Sequence, residues 1–391
     1  MTMRLAIVMH TDSPKGGVSS VFLNDVARLT ADGVEVLPIL KDESFGDDSL
    51  HHRLECQGIR SELVYFRWWC GRPEAIRKAP WLPLRAEQIN WLAERRVKTL
   101  LEEWKPTLLL VFDSVTGMGY RSAQRLGIPS VGYLQEVPTV GHGLRFYSTR
   151  QVRRTLRIPR RLVAISPYVR DGWSDLVDPA RVTVVPNGVD ETHVFWDERP
   201  YAPDGVVRMT LAGSVVPAKG QLLLVQAVER LLAEGRDNLD VRLYGADEKD
   251  PSPYQREVAE RIASGPARGK VRLLPYETNV SRVWANTDVV VSCSDAEGFG
   301  LALAEGMASG CTAVGPRSGA VPDLLGEGRG QLYEPGDPTS LARALALAAD
   351  GLGPNPQTLA YARGLTVDNH YEQLMQVLRE AEDSTKEDAR I

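Results

Sequence analysis

Short apolar, β-branched runs alternate with longer amphipathic stretches along nearly the whole chain. Runs such as RLAIVM, LLLVF and SVGYL have no polar face, so they read as strands covered on both sides. Strands are predicted near 3–9, 34–39, 62–66, 107–112, 129–134, 162–165 and 182–185. A second series falls near 208–213, 240–244, 271–274, 288–292, 311–315 and 330–333. The 3.6-residue period of a helix is clearest over 18–30 and 86–104. Strands that alternate with helices of this length make βαβ units, so the fold class is α/β with parallel sheets.

Between the two series lies Pro186–Gly205, rich in Pro, Gly and Asp, aperiodic, and carrying the turn-prone pair Asn187-Gly188. It divides the chain into two Rossmann-like domains, residues 1–188 and 189–367. A helix over 368–381 is expected to return to the first domain, and 382–391 is polar enough to stay without structure. Each half opens on a strand, a glycine-containing loop and an amphipathic helix: LAIVMHTDSPKGGVSS and MTLAGSVVPAKGQLLL. Two such domains facing each other place both loops at the carboxyl ends of their sheets, and the cleft between them is the expected site.

Composition narrows the function classes. The 391 residues carry 46 Lys plus Arg against 51 Asp plus Glu, a net charge of −5, which argues against a surface built to track nucleic acid. Cys56, Cys70, Cys293 and Cys311 show no metal-ligand spacing and read as free thiols. No apolar stretch approaches the roughly 18 residues of a membrane span. A soluble, cytoplasmic protein is expected.

The most informative segment is VVVSCSDAEGFGLALAEGMASGCTAVG. A strand runs into a loop with Glu297, Gly298 and Gly300, and a helix begins near Leu301. The glycines let backbone approach a ligand, and the free amides of a helix start favour an anion such as phosphate. Glu305, about one turn into the helix among apolar neighbours, needs a partner, because an unpaired buried carboxylate costs several kcal/mol. Vicinal sugar hydroxyls would suit it. Alternatives are a solvated Glu pair on a plain turn, or a dinucleotide fingerprint, although Leu303 stands where that motif has its third glycine.

This segment resembles the Glu, seven residues, Glu motif of the retaining GT-B glycosyltransferases of group 1 and family 4. The resemblance implies that Glu305 binds the donor ribose and Glu297 the donor sugar, with the amides of Phe299, Gly300 and Leu301 on sugar hydroxyls and phosphate. Gly213–Gly220 resembles the family's diphosphate loop, in which Lys219 would neutralise the leaving nucleotide. Ser214 departs from the arginine usual there. Gly16-Gly17 resembles the first-domain glycine loop, and Gly245 and Tyr276, just past the strands at 240–244 and 271–274, complete the donor-binding set. Gln135 stands where many relatives have a histidine on the donor sugar, a positioning group unable to titrate; His142 is the substitute candidate. VVPNGVDETHVF resembles the interdomain segment, VAISPYVRD a strand–helix junction at Ser166, and SGAVPDLL the loop that follows the motif.

The implied activity is transfer of a sugar from a nucleotide-diphosphate sugar to an acceptor hydroxyl with retention and without a metal or other cofactor. The acceptor would be a small molecule, a glycan or a lipid-linked sugar. A catalytically idle homologue that acts as a binding partner and, more remotely, an NAD-type oxidoreductase are the rivals. Arg150, Arg153, Arg154 and Arg157 fall at i, i+3, i+4 and i+7, with Arg160 and Arg161 beyond. On a helix they form a stripe for peripheral membrane contact or a phosphorylated acceptor, or a solvated face. Trp68, Trp69, Trp81 and Trp91 with Arg67, Arg72 and Arg85 make either an acceptor- or membrane-facing surface, or packing between helix and sheet.

Overall fold

A computed structural model describes residues 3–388 apart from 15, 44, 113, 139–143, 327 and 354, and, over 384–388, backbone only. The chain forms two compact units: residues up to Pro186 together with those from His370 on, and Asn187–Asn369.

The first unit is built on seven parallel strands: β1 (Arg4–Met9), β2 (Glu35–Lys41), β3 (Glu62–Val64), β4 (Leu108–Phe112), β5 (Ser130–Leu134), β6 (Arg161–Ala164) and β7 (Val182–Val184). They lie in the order 3-2-1-4-5-6-7. The second unit has six: β8 (Val207–Ala212), β9 (Leu239–Ala246), β10 (Val271–Pro275), β11 (Val289–Val291), β12 (Thr312–Pro316) and β13 (Gln331–Tyr333), in the order 10-9-8-11-12-13. The two sheets share one winding pattern, reversing between β1 and β4 in the first and between β8 and β11 in the second. In doubly wound folds a ligand sits at such a reversal, outside the carboxyl ends of the strands.

Every strand predicted from the apolar runs is present to within two residues at either end. The reason is visible in β4 and β5, where every residue is buried. In the first unit Phe112 meets both Phe22 and Tyr133 edge-on, with ring centroids 5.6 and 4.7 Å apart. In the second, Leu224, Val228 and Leu231 of helix Gln221–Ala233 pack with Met209, Val241 and Val289 of the sheet.

Three expectations need correction. The polar residues 382–388 are helical, because helix Val367–Asp388 runs through them; once nucleated, a helix extends through good formers such as Glu and Lys at little cost. The arginine stripe is not one helix: Thr149–Thr155 ends at the C-cap Leu156, before Arg157, and Pro159 disfavours helical backbone at Ile158 just beyond. Gly188 makes close contact possible and does not serve as a turn, since a Cβ there would lie 2.5 Å from the Cα of Val367. The neighbouring Val189 donates its amide to the Leu365 carbonyl at 2.7 Å, pairing the two ends of the second unit.

The C-terminal helix is stitched into the first unit. Leu374, Leu378 and Ala381 are buried, and Tyr371 donates to Asp32 Oδ2 at 2.9 Å. His370 Nε2 lies 3.1 Å from Asp25 Oδ1, with both side chains almost fully enclosed, and its Nδ1 is 2.7 Å from the Pro186 carbonyl. Burial alone would lower His370; the Asp25 carboxylate and the carbonyl outweigh it, and its pKa is raised. Among the described residues no helix is long and apolar enough to cross a membrane.

Candidate functional site

In the second unit the loops after β8 and β11 flank the reversal of strand order, and they carry the two chemically distinct halves of the sequence motif. The loop after β8 ends in a 3-10 turn, Pro217–Lys219, closed by Gly220 in the left-handed region at φ 66°. A Cβ at Gly220 would fall 2.3 Å from the Cys293 carbonyl oxygen, so only glycine lets the two loops meet. Asp295 donates its amide to the Ala218 carbonyl at 3.1 Å, locking one loop on the other. The result is a direct ion pair: Lys219 Nζ donates to Glu297 Oε2 at 2.7 Å.

The segment after Glu297 turns at Gly300, φ 96°, into the helix Leu301–Ala308. Gly300 offers no side-chain cap, so the first-turn amides are left for solvent or a ligand. The loop after β12 backs the site: Ala320 donates its amide to the Glu297 carbonyl at 2.8 Å, and a Cβ at Gly319 would lie 2.6 Å from that same oxygen. Gly213 and Gly245 also abut, since a Cβ at Gly245 would be 2.2 Å from the Gly213 carbonyl oxygen. The exposed Ser214 accepts from Gln221 Nε2 through its carbonyl at 3.0 Å. Tyr276 follows β10 and is 61% exposed.

Glu305 is buried, as its apolar neighbours suggest, but its partner comes from the chain itself. His193 Nδ1 lies 2.9 Å from Glu305 Oε1. The hydrogen bond raises the His193 pKa against the opposing effect of burial, with the charges of Glu305 and Asp190 adding to it. Asp190 caps the 3-10 turn Glu191–His193, accepting from the Thr192 amide at 2.8 Å, and thereby places the imidazole. Ser309 Oγ donates to the Glu305 carbonyl at 2.8 Å and accepts from the Phe195 amide at 3.0 Å. Sequence reasoning missed His193: 112 residues separate it from Glu305, and its segment marks only a boundary.

The second unit thus gathers Gly213, Ser214, Lys219, Gly245, Tyr276 and the Glu297–Glu305 segment at or beside the carboxyl edge of one sheet. The first unit holds Gly16 and Gly17 after β1, with Gly16 at φ 107° opening helix Gly17–Ala31, and Gln135 after β5, buried beside Tyr133. His142 lies outside the described residues. Ser166 caps helix Pro167–Gly172, accepting from Val169 at 3.1 Å. Trp69 is buried and donates to the Ser114 carbonyl at 3.0 Å, whereas Trp81 and Trp91 are exposed and do not pack between helix and sheet. Among the described residues no group of His, Cys, Asp or Glu is placed to hold a metal ion.

Two family models match the chain, Glycosyltransferase Family 4 over residues 15–193 and Glycosyl transferases group 1 over residues 207–350. The chain is 31% identical over 204 residues to the MMP alpha-(1->4)-mannosyltransferase of Mycolicibacterium hassiacum, a match over 51% of this chain and 47% of that protein. It is 29% identical to the D-inositol 3-phosphate glycosyltransferase of Actinosynnema mirum, over 58% of this chain and 59% of that one. These matches therefore span about half the length of those relatives. The GDP-mannose-dependent alpha-mannosyltransferase of Corynebacterium glutamicum is matched more broadly, 24% identical over 83% of this chain and 75% of that protein. Among solved structures, Anabaena HepE in complex with UDP and glucose shares the fold with a TM-score of 0.72 at 18% identity, over 97% of this chain and all of that one. The protein therefore has the GT-B fold, its amino-terminal part matching the Glycosyltransferase Family 4 model and its following part the Glycosyl transferases group 1 model.

Proposed function

We propose that the protein transfers a sugar from a nucleotide-diphosphate sugar to an acceptor hydroxyl, retaining the anomeric configuration without a metal. The observation that carries this reading is the pairing of Lys219 with Glu297 at the strand-order reversal, beside an uncapped helix start and within the same motif as Glu305. Each group has one chemical task. The ammonium of Lys219 and the first-turn amides supply positive potential for a diphosphate, in the place of a divalent ion. Glu297 accepts hydrogen bonds from sugar hydroxyls, and Glu305, fixed by His193, accepts those of a ribose. The leaving phosphate oxygen takes the acceptor proton on the face from which the nucleotide departs, so the protein orients and stabilises charge and need not supply a titrating base. The GDP-mannose-dependent relative and the UDP complex of HepE support a nucleotide-sugar donor. The Family 4 domain would take the acceptor, in the cytoplasm.

The test is a panel of UDP, GDP, ADP and dTDP sugars with candidate acceptors, reading release of nucleoside diphosphate with and without EDTA. Release that survives EDTA and is abolished in Glu305→Ala supports the proposal; a product of inverted configuration by NMR, or no release with any donor, overturns it.

A further inference from the structure

Helix Leu82–Trp104 is apolar on two sides. Ala86, Ala93, Val97 and Leu100 face inward and are buried. On the outside Trp81, Leu84, Trp91 and Leu92 are 60%, 66%, 60% and 61% exposed. Leu84, Gln88 and Trp91 recur at i, i+4 and i+7, so these side chains share one face, and a groove lined by Leu84, Glu87, Gln88, Trp91 and Leu92 confirms that the surface is continuous. Single exposed apolar residues are ordinary; a contiguous set is a contact surface. Full burial of each such side chain is worth about 1.5–3 kcal/mol.

The charge around this face identifies the partner. Arg72, Arg77 and Lys78 precede the helix start, and Arg85 and Arg95 lie on it, all exposed and, among the described residues, without an ion-pair partner. Arg95 stacks over Trp91 at 5.0 Å, one cation held directly on the apolar face. Of the three acids between Arg72 and Arg95, Glu94 is turned inward onto the amides of Gly119 and Ser122, at 3.0 and 2.9 Å; there only Glu74 and Glu87 offset the cations. Aromatic and leucine side chains bordered by arginine are what an interfacial helix presents to anionic headgroups. A second copy fits less well, since a two-fold contact brings the same arginine-bordered patch of both copies together and so gathers like charges.

The helix is also long for its unit. It has 23 residues, about 34 Å, whereas the five residues of β4 span about 17 Å. Trp104 lies four residues ahead of β4, so a helix of this length running antiparallel to that strand would extend past the carboxyl edge of the sheet, the edge that carries Gly16 and Gly17.

We propose that the outer face of helix Leu82–Trp104 docks the protein on the surface of a bilayer containing anionic lipids. The apolar side chains enter the headgroup boundary and the arginines lie on the headgroups; the Arg150–Arg161 stretch is not the anchor. The test is vesicle flotation of the full chain with phosphatidylcholine alone and with equal parts of phosphatidylglycerol. Wild type should float with the mixed vesicles and weakly with the neutral ones. L84E/W91E should lose about tenfold or more of that partition, and R85E/R95E should lose the preference for the anionic mixture, with unchanged circular dichroism because all four positions are exposed. Absence of flotation with the mixed vesicles, or flotation indifferent to L84E/W91E, overturns the proposal. So does a concentration-dependent dimer in sedimentation that L84E/W91E abolishes, which would give the face to a second copy.

Discussion

Lys219 and Glu297 satisfy one another at 2.7 Å, yet the proposed donor needs both, the ammonium for its diphosphate and the carboxylate for its sugar. A nucleotide-sugar replaces both halves of the pair; a free nucleoside diphosphate competes with Glu297 for Lys219. Glu297→Gln should therefore tighten binding of free nucleoside diphosphate by up to about fivefold, the scale of a part-exposed ion pair, while slowing transfer; calorimetry of the variant with UDP or GDP reads the first effect. The second pair has a pH signature. The His193 pKa is raised in the folded protein, so the stabilisation is fully present below the ordinary histidine value of about 6.5 and is lost as pH rises through the raised one. Buried His370 shifts the same way, so wild type alone cannot separate the two. The difference in thermal midpoint between wild type and His193→Gln should shrink with rising pH across that window, and a pH-independent difference would show that the imidazolium form does not matter.

At the scale of elements, the strands were legible because a buried parallel strand writes itself as an unbroken apolar run. The loops that shape the site were legible only as glycines. Their reasons are non-local: Gly220 is required by the carbonyl of Cys293, and Gly245 by that of Gly213, neither a neighbour in sequence. Gly220→Ala should destabilise by more than the roughly 1–2 kcal/mol of a left-handed non-glycine residue, because it also pushes a Cβ into backbone. Gly235→Ala, at φ 86° with nothing within 4 Å, should cost only the conformational part. Chemical denaturation of the two variants compares them directly. The same limit explains why Glu305 was legible as a buried carboxylate in need of a partner, while His193 was not legible as that partner. Period also misleads: the arginines from 150 to 157 keep helical spacing, but the helix ends at Thr155, before the stripe is complete.

At the scale of the whole molecule, the first unit is closed by residues from the far end of the chain. The His370–Asp25 pair is enclosed on both sides, and leaving one charge without the other inside a protein costs about 3–5 kcal/mol. His370→Ala should lower the thermal midpoint strongly, and the double variant His370→Leu with Asp25→Leu should recover much of the loss, which a thermal shift measures. Truncation after Asn369 removes Tyr371, Leu374 and Leu378 from the core of the first unit, and should leave its amides open to hydrogen exchange while those of Asn187–Asn369 stay protected. The sequence pattern over 368–381 announces an amphipathic helix; the particular charge pair that seats it is written 345 residues apart and has no local trace.

That closure bears on how the protein is made. Domains ordinarily fold in the order they leave the ribosome. Here the segment Asn187–Asn369 is continuous and can fold as soon as it emerges, whereas the first unit waits for the residues from His370 on, which emerge after the second unit. Of the two units, the first to begin synthesis is the second to be completed.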